Sequence, residues 1–498
     1  MIPSIYSKLV LLYSIEGGKH MTVTVDSSPT KEFFVEMLTR DIDLTDAILD
    51  LLDNCLDGVL RKSGNANIKK DFDYSGYVAN IQIRNDCFII QDNCGGISKH
   101  IAVSSAFRMG RDSTQVIDDN LPTVGIYGIG MKRAIFKIGR EAEVISRCNN
   151  EQFTVKIPYE WTQTDSWELN LYDLDTVPSE ISEGGVIVRI SHLTPAIMSV
   201  WHDDDKRANF VDDLCRSIQK SYSFIIEKGF RITVNGQVLS SLPVKLLVAD
   251  AQNKNGAISP YIYKDTINGV DVDLIVGFYT PVKSDEEIDA INTSHRSTAD
   301  AGWTIICNDR VVLYNDKTHL TGWGEGGIPK DHTQFIGIKG VVSFRSSNPR
   351  LLPTTTTKRG IDLSSEIYSQ VKERMRDGLG MFISYTNQWK GRLPEERKYS
   401  NQADSVSMQS LLNNVEIHER YSLNDNLKNK RNCSGTFYIP TLPKPEIRNT
   451  SQVIRFFKPT TEIEFLAESL LDEELDNVKP STIGELCFDR VYKEMGGK

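Results

Sequence analysis

The chain lacks the closely spaced cysteine pairs that mark structural zinc sites and redox motifs. Its 498 residues include eight cysteines, which are scattered, form no C-x-x-C pair and have no histidines at zinc-binding spacing. The sequence therefore predicts neither a disulfide framework nor a structural zinc site. Unpaired cysteines of this kind are typical of the reducing cytoplasm, where we expect the protein to reside.

A membrane-spanning run is also missing. The opening stretch, MIPSIYSKLVLLYSI, falls short of the ~18 apolar residues that a transmembrane helix needs, and it has no small-residue cleavage site of a secretion signal. We therefore expect no membrane association. Residues 1–29 are interpreted as a leader, and Met21 is an alternative start of the protein.

Positive charge is not in excess either. The 57 basic and 67 acidic side chains give a net charge of −10. This balance disfavours a broad surface that coats nucleic acid, but it leaves room for a local basic channel. No histidine or carboxylate pair outside the segments discussed below suggests a competing catalytic site.

The most informative stretch that is present covers residues 44–60, LTDAILDLLDNCLDGVL. At 3.6 residues per turn, its apolar residues form one broad stripe of a helix. The opposite side holds four carboxylates and one amide, which are Asp46, Asp50, Asp53, Asn54 and Asp57. One interpretation is an acidic surface helix. The other is a site where these oxygen atoms hold a hydrated divalent cation, because hard cations prefer oxygen ligands.

Two further segments suggest a ligand site. Residues 77–92 alternate like a β-hairpin whose second strand ends at Asp92, and Gly95 and Gly96 follow in an ordinary-looking turn. A carboxylate in that position can accept a hydrogen bond from a ligand amino group. Later, Gly125, Gly128 and Gly130 precede an amphipathic helix that starts near residue 131, an arrangement that frees backbone N–H groups for phosphate oxygens.

The order and spacing of these segments are more specific than any one of them. N-x-x-D at 54–57, D-N-x-x-G at 92–96 and G-x-x-G-x-G-M-K at 125–132 resemble the GHKL superfamily of Bergerat-fold ATPases. That superfamily includes gyrase B subunits, MutL proteins, heat-shock-ninety chaperones, MORC proteins and sensor histidine kinases. The resemblance implies an α+β fold in which a Bergerat-type α/β sandwich with a mixed sheet binds ATP and Mg²⁺.

The resemblance also implies roles for individual residues. Asn54 is the expected Mg²⁺ ligand, and Asp92 is expected to recognise the adenine amino group. The other expected nucleotide contacts are Asp57, Gly96, Gly125, Gly128, Gly130, Met131 and Lys132, of which Gly128, Gly130 and Lys132 belong to a lid over the phosphates.

Three positions depart from the family pattern. The general base is usually a glutamate, and Asp50 stands in its place with a side chain shorter by about 1.5 Å. Misplacement by ~1 Å can cost on the order of a hundredfold in rate, so we expect slow hydrolysis. Cys94 replaces a glycine of the adenine-site turn, and Val186 replaces a threonine of the closing strand near Gly185.

The second half predicts another α+β domain. Strands are expected at 270–279, 303–314 and 335–345, between long helices at 203–229 and 364–389. Before the last helix, LLPTTTTKRGID places Lys358 and Arg359 on a polar loop, which is either an exposed basic loop or part of the site. In gyrase, MutL and MORC relatives a transducer-domain lysine reaches the γ-phosphate, and Lys358 is the candidate here.

These observations predict five segments. They are a leader at 1–29, an ATP-binding domain at 30–200, a transducer-like α+β domain at 201–391, a polar linker at 392–436 and a small helical C-terminal region at 437–498. No helix with a phosphoacceptor histidine precedes Asp50, which disfavours the histidine-kinase branch. MORC- and MutL-like proteins are the relatives that this architecture favours.

Three functions are compatible with this architecture. The first is a slow, Mg²⁺-dependent ATPase that couples nucleotide binding to homodimerisation in a DNA-related or defence process, with DNA or protein bound through the C-terminal region. The second is a nucleotide-gated binding protein with negligible hydrolysis, which the aspartate at position 50 favours. The third is a chaperone of the heat-shock-ninety type.

Overall fold

The computed structural model describes most of the chain, in two compact units of residues 1–445 and 446–498. The described residues are 30–64, 71–108, 129–164, 166–176, 178–179, 181–249, 256–284, 286–288, 300–355, 358–413, 435–446, 454–455, 457–471 and 479–496. None of the helices in these ranges has the length and apolarity that crossing a membrane requires.

The first unit begins with helices and strands that build one large sheet layer. These elements are α1 (Lys31–Arg40), α2 (Leu44–Ser63), β1 (Val78–Ile83), β2 (Phe88–Asp92), α3 (Lys99–Ile101), α4 (Gly130–Ile138), β3 (Gly139–Cys148), β4 (Glu151–Ile157), β5 (Leu171–Asp173), β6 (Gly185–Leu193), α5 (Pro195–Trp201), α6 (Asp204–Glu227), β7 (Arg231–Val234) and β8 (Gln237–Val238). A π-helical turn over Ala102–Ala106 continues α3.

The eight strands pair in the order β5-β4-β3-β6-β2-β1-β7-β8. All pairs are antiparallel except β1 with β7, which makes the sheet mixed as expected. Helices α1, α2, α4 and α6 cover one face, because their apolar stripes share a single core with every second residue of the central strands. The result is a two-layer α/β arrangement.

The expected domain boundary at residue 200 divides this layer. Helix α6 contributes Leu214 and Ile218 to the core of the first sheet, and β7 pairs with β1. The hairpin between β7 and β8 turns at Asn235 and Gly236, as its sequence predicts.

A second sheet follows within the same unit. Its elements are β9 (Lys245–Val248), β10 (Tyr261–Ile267), β11 (Val270–Phe278), β12 (Gly302–Cys307), β13 (Arg310–Asp316), β14 (Ile338–Arg345), α7 (Glu366–Gln388), α8 (Leu393–Ser400), β15 (Asp404–Ser407), α9 (Met408–Asn413) and β16 (Thr436–Tyr438). Six of the strands pair in the order β13-β12-β14-β11-β10-β16, and β9 pairs separately with β15. Helix α7 packs on the six-stranded sheet through Val371, Met375 and Phe382.

Two sequence predictions in this half were wrong in detail. Residues 303–314 are two antiparallel strands instead of one, because Asn308 and Asp309 adopt positive φ values and turn the chain. The expected linker at 392–436 contains α8, β15 and α9, and Met408 and Leu411 are buried in a core that they share with strands of the second sheet. Strand β16 pairs with β10, so the first residues of the expected C-terminal region belong to this sheet.

The second unit contains two helices within the expected helical C-terminal region. These are α10 (Thr460–Leu471) and α11 (Pro480–Glu494). Ala467 and Ile483 are buried where the helices contact each other.

Candidate functional site

The carboxylates of α2 are not a solvated face. Asp50, Asp53 and Asp57 are only 7%, 1% and 5% exposed, so the interpretation of α2 as an acidic surface helix was wrong. Neighbouring elements cover this side of the helix and bring basic side chains to it. Arg359 pairs with Asp46, and further cations reach Asp50 and Asp53. These ion pairs offset the cost of burying the carboxylates, which isolated charges could not bear.

Asp50, the expected general base, is held by α4. The Nε atom of Arg133 donates to Oδ2 of Asp50 over 3.1 Å, and a terminal guanidinium nitrogen donates to the same oxygen. Burial raises the pKa of Asp50, while the charge of Lys358 and the hydrogen bonds from Arg133 oppose that rise. Gly130 lies so close that a Cβ atom there would be 3.5 Å from the Asp50 carboxyl group, in ordinary contact.

Asn54 lies one turn further along α2, on the same side. Its Nδ2 atom is buried, and no described residue provides it with a hydrogen-bond partner. Because amide rotation exchanges the nitrogen and oxygen positions, the side chain can present its oxygen to a cation there. No described group of three or more His, Cys, Asp or Glu side chains forms a metal cage. A single amide fits Mg²⁺, which usually keeps waters and substrate phosphates as its other ligands.

Asp92 stands at the end of β2, beside the helix. Its Oδ1 atom accepts the backbone N–H of Cys94 over 2.8 Å, and the thiol of Cys55 from α2 lies 3.3 Å from Oδ2. Burial raises the pKa of Asp92 to about 6. Val186 pairs with Asp92 across β2 and β6, so the residue that replaces the family threonine is next to this carboxylate.

The turn after Asp92 packs tightly on α2. A Cβ atom at Gly58 would lie 2.5 Å from the carbonyl oxygen of Cys94. Gly96 has a φ of 73°, and a Cβ there would lie 2.6 Å from the carbonyl oxygen of Arg147. Cys94 is buried, and the glycines beside it keep the positive-φ conformation of the turn. The cysteine at a family glycine position is therefore accommodated.

The glycine motif is described only in part. Gly125 and Gly128 lie outside the described residues, whereas Gly130, Met131 and Lys132 form the first turn of α4. Lys132 is buried, and its Nζ donates to the carbonyl oxygen of Ala106 over 3.0 Å. It ties the helix to the π-helical turn, and its expected contact with phosphate stays a prediction.

Lys358 joins the site from a turn between β14 and α7. An isolated bridge between Thr354 and Ile361 closes that turn, and Lys358 itself has a φ of 56°. Its Nζ donates to Oδ2 of Asp53 over 2.8 Å. Lys358 therefore does not fit the interpretation of residues 351–362 as an exposed basic loop, because its side chain contacts a buried carboxylate.

Sequence reasoning missed three residues that contact these carboxylates. Arg133 directly follows the glycine motif, so its position was a usable signal. Arg310 and Tyr222 both contact Asp53, but nothing in their sequence surroundings distinguishes them from ordinary strand and helix residues. The structure thus brings together Asp50, Asn54 and Lys358 near α2, with Asp92 at the adjoining strand end.

Comparison with known protein families gives a match to part of the chain. A family model described as histidine kinase-, DNA gyrase B-, and HSP90-like ATPase matches residues 42–184, which is less than a third of the chain. The curated proteins contain no match to the chain. The matched region runs from the start of α2 to the glycine before β6 and contains every expected site residue except Lys358. The match thus supports a GHKL-type ATPase domain at residues 42–184.

Proposed function

We propose that the protein binds ATP with Mg²⁺ and hydrolyses it slowly. The observation that carries this proposal is the convergence of three distant motifs at one place. Asp50 and Asn54 lie on α2, Asp92 contacts the next residue of that helix, and Gly130 packs against Asp50. The family match over the same residues supports ATP as the ligand.

Each residue has a physical reason for its proposed role. Asp92 accepts a hydrogen bond from the adenine amino group, since its carboxylate is held in place by the Cys94 N–H. The amide oxygen of Asn54 would hold Mg²⁺, with Asp57 next to it on the helix face. When bound, Mg²⁺ neutralises negative charge on the phosphates.

Asp50 would orient the attacking water and accept its proton. Both hydrogen bonds from Arg133 go to Oδ2, which fixes the carboxylate and leaves Oδ1 without a hydrogen bond from that guanidinium. Burial raises the pKa of Asp50, which makes the carboxylate a stronger base than an exposed aspartate. The short side chain limits its reach, so slow turnover is expected.

A second candidate function is nucleotide binding without appreciable hydrolysis. The pairing of Asp50 with Arg133 favours it, because a guanidinium that occupies the carboxylate lowers its basicity. Bound ATP would then act only by holding one conformation or one assembly of the protein.

Single-turnover hydrolysis by wild type, Asp50→Asn and Asp50→Glu separates the two candidates. An ATPase loses turnover in Asp50→Asn, and Asp50→Glu raises the rate because its carboxylate reaches about 1.5 Å further. Asp213→Asn, on the exposed side of α6, is the matched control and should change nothing. Equal rates in wild type and Asp50→Asn would identify a passive binder.

Further proposals concern the rest of the chain. We infer that the second sheet with α7 is a transducer-like domain and that Lys358 senses the γ-phosphate, which would couple nucleotide state to homodimerisation. A cytoplasmic, DNA-related or defence role of the MORC or MutL kind follows from the resemblance alone. The C-terminal unit would then bind the DNA or protein partner, and ATP-dependent suppression of client aggregation would favour a chaperone instead.

A further inference from the structure

Asp53 has more positive charge around it than a single carboxylate requires. Its Oδ1 accepts hydrogen bonds from Nε of Arg310 over 3.0 Å and from the hydroxyl of Tyr222 over 2.7 Å. Its Oδ2 accepts one from Nζ of Lys358 over 2.8 Å. One buried carboxylate thus faces a buried arginine and a half-buried lysine, and the cluster of the three charged groups carries a net charge of +1.

Such a cluster can release one cation without leaving Asp53 unpaired. A carboxylate whose only ionic partner departs is left as an uncompensated buried charge, which is strongly unfavourable. Arg310 and Lys358 bind different oxygens of Asp53, so one ion pair stays intact when either of them leaves. The structure decides which partner can leave.

Arg310 is held more firmly than Lys358. The Arg310 side chain is only 3% exposed, also donates to the carbonyl oxygens of Ser221 and Val311, and stacks on the ring of Tyr222 at 4.4 Å. The Lys358 side chain is 13% exposed, and among the described residues its Nζ donates to Asp53. Lysine also has a flexible four-carbon stem, so Nζ can move while the turn stays in place.

The turn between β12 and β13, which directly precedes Arg310, is also bound to the first sheet layer. Asp309 accepts a hydrogen bond from Nζ of Lys228 over 2.6 Å and another from the hydroxyl of Tyr74 over 3.2 Å. Both donors belong to the first sheet layer, Lys228 at the end of α6 and Tyr74 just before β1. The backbone next to Arg310 is therefore held against the first sheet layer by a buried ion pair.

The Nζ of Lys358 lies beside the turn of α2 that carries the proposed Mg²⁺ ligand. Asp53 precedes Asn54 on α2, and the ammonium of Lys358 is near enough to Asp50 to lower the pKa of that carboxyl group. A terminal phosphate bound beside Asn54 would offer the ammonium a more highly charged partner than Asp53.

We infer that Arg310 is a positioning residue that neutralises Asp53 and so frees Lys358 to bind the terminal phosphate of ATP. The inference rests on the proposed ATP site. It identifies the residue that would make this site prefer ATP over ADP. Without Arg310, Lys358 is the sole ionic partner of Asp53 and stays there. Arg310 would thus govern γ-phosphate recognition without contacting the nucleotide.

The test compares dissociation constants for Mg²⁺-ADP and for Mg²⁺ with adenylyl imidodiphosphate, a non-hydrolysable ATP analogue, by calorimetry on the full chain. Arg310→Met should reduce the preference for the analogue by about tenfold, to the level of Lys358→Met, with ADP affinity nearly unchanged. Arg310→Lys, which keeps the charge, should retain most of the preference.

The double variant Asp53→Asn/Arg310→Met separates this effect from damage to the fold. This variant removes the carboxylate that would retain Lys358. The preference for the ATP analogue over ADP should therefore return to at least the wild-type value. Arg374→Met is the matched control, because Arg374 is a buried arginine of α7 that pairs with Asp377 and contacts neither Asp53 nor the turn at Asp309. It should lower stability and leave the preference unchanged.

Two results would overturn the inference alone. In the first, Arg310→Met still binds ADP and keeps the wild-type preference for the ATP analogue over ADP. In the second, the double variant binds ADP but does not regain that preference. If Arg310→Met does not fold, the double variant and Arg310→Lys decide the matter. Failure of wild type to bind either nucleotide would instead overturn the proposed function itself.

Discussion

The contact between Gly58 and the Cys94 carbonyl gives a sharp prediction for Gly58→Ala. The contact joins the helix that carries Asn54 to the turn that follows Asp92. A Cβ atom at Gly58 would approach the Cys94 oxygen to 2.5 Å, whereas ordinary van der Waals contact begins at 3.4 Å. The obstructing atom belongs to the backbone, so rotation of a side chain cannot relieve the overlap. Helix and turn must separate by about 0.9 Å.

Two free-energy terms of opposite sign set the size of the effect. Alanine favours a helix interior over glycine by about 0.5–1 kcal/mol, which would stabilise α2. Overpacking of a close contact costs about 1–3 kcal/mol, and this term should win because neither partner can yield. We expect a net loss of about 1 kcal/mol in the free energy of unfolding. A shift of this size between Asn54 and Asp92 should also weaken ADP binding by about tenfold or more.

Urea unfolding and calorimetry with Mg²⁺-ADP measure the two effects. The matched control is Gly484→Ala, because Gly484 is also inside a helix but has no atom within 4 Å of its virtual Cβ. The control should leave ADP affinity unchanged and should not destabilise its helix. A Gly58→Ala variant that is more stable than wild type and binds ADP equally well would contradict the close contact between Gly58 and the Cys94 carbonyl oxygen.

Three further predictions concern the charged groups. In the proposed site, the ionised form of Asp92 accepts the adenine amino group, and burial raises the pKa of Asp92 to about 6. ADP affinity should therefore fall about tenfold per pH unit below that value, and Asp92→Asn should abolish the dependence. Arg133→Met removes hydrogen bonds that lower the pKa of Asp50, so the acid limb of the kcat profile should move to higher pH; an unmoved limb would contradict that role. Removing Mg²⁺ with EDTA should weaken ATP binding by about tenfold or more in wild type and by clearly less in Asn54→Ala, and equal losses in both would exclude Asn54 as the ligand.

Local elements were predictable because their signals are short-range. The apolar stripe of residues 44–60 predicted α2, the alternation around residue 85 predicted the hairpin, and the glycines before residue 131 predicted the start of α4. Side-chain periodicity of 3.6 or 2 depends only on neighbours in sequence. The order of the three motifs was equally visible, and the family match covers the region that contains them.

The second half was less predictable for a related reason. A turn at two polar residues, Asn308 and Asp309, was hidden in a run that is otherwise mostly apolar, so two strands were predicted as one. The residues of α8 and α9 are polar enough to suggest a linker. A few buried side chains such as Met408 and Leu411 hold that segment against the second sheet, and local composition does not report such contacts.

The sequence by itself determined which side chains lie on one face of α2 and in what order the nucleotide-site motifs follow. Only the tertiary structure decided which cations neutralise that face. Asp50 pairs with Arg133 at a separation of 83 residues, and Asp53 pairs with Arg310 and Lys358 at separations of 257 and 305. Helical periodicity fixes the direction of a carboxylate, but its partner is chosen by the packing of distant strands and turns that bury the charge.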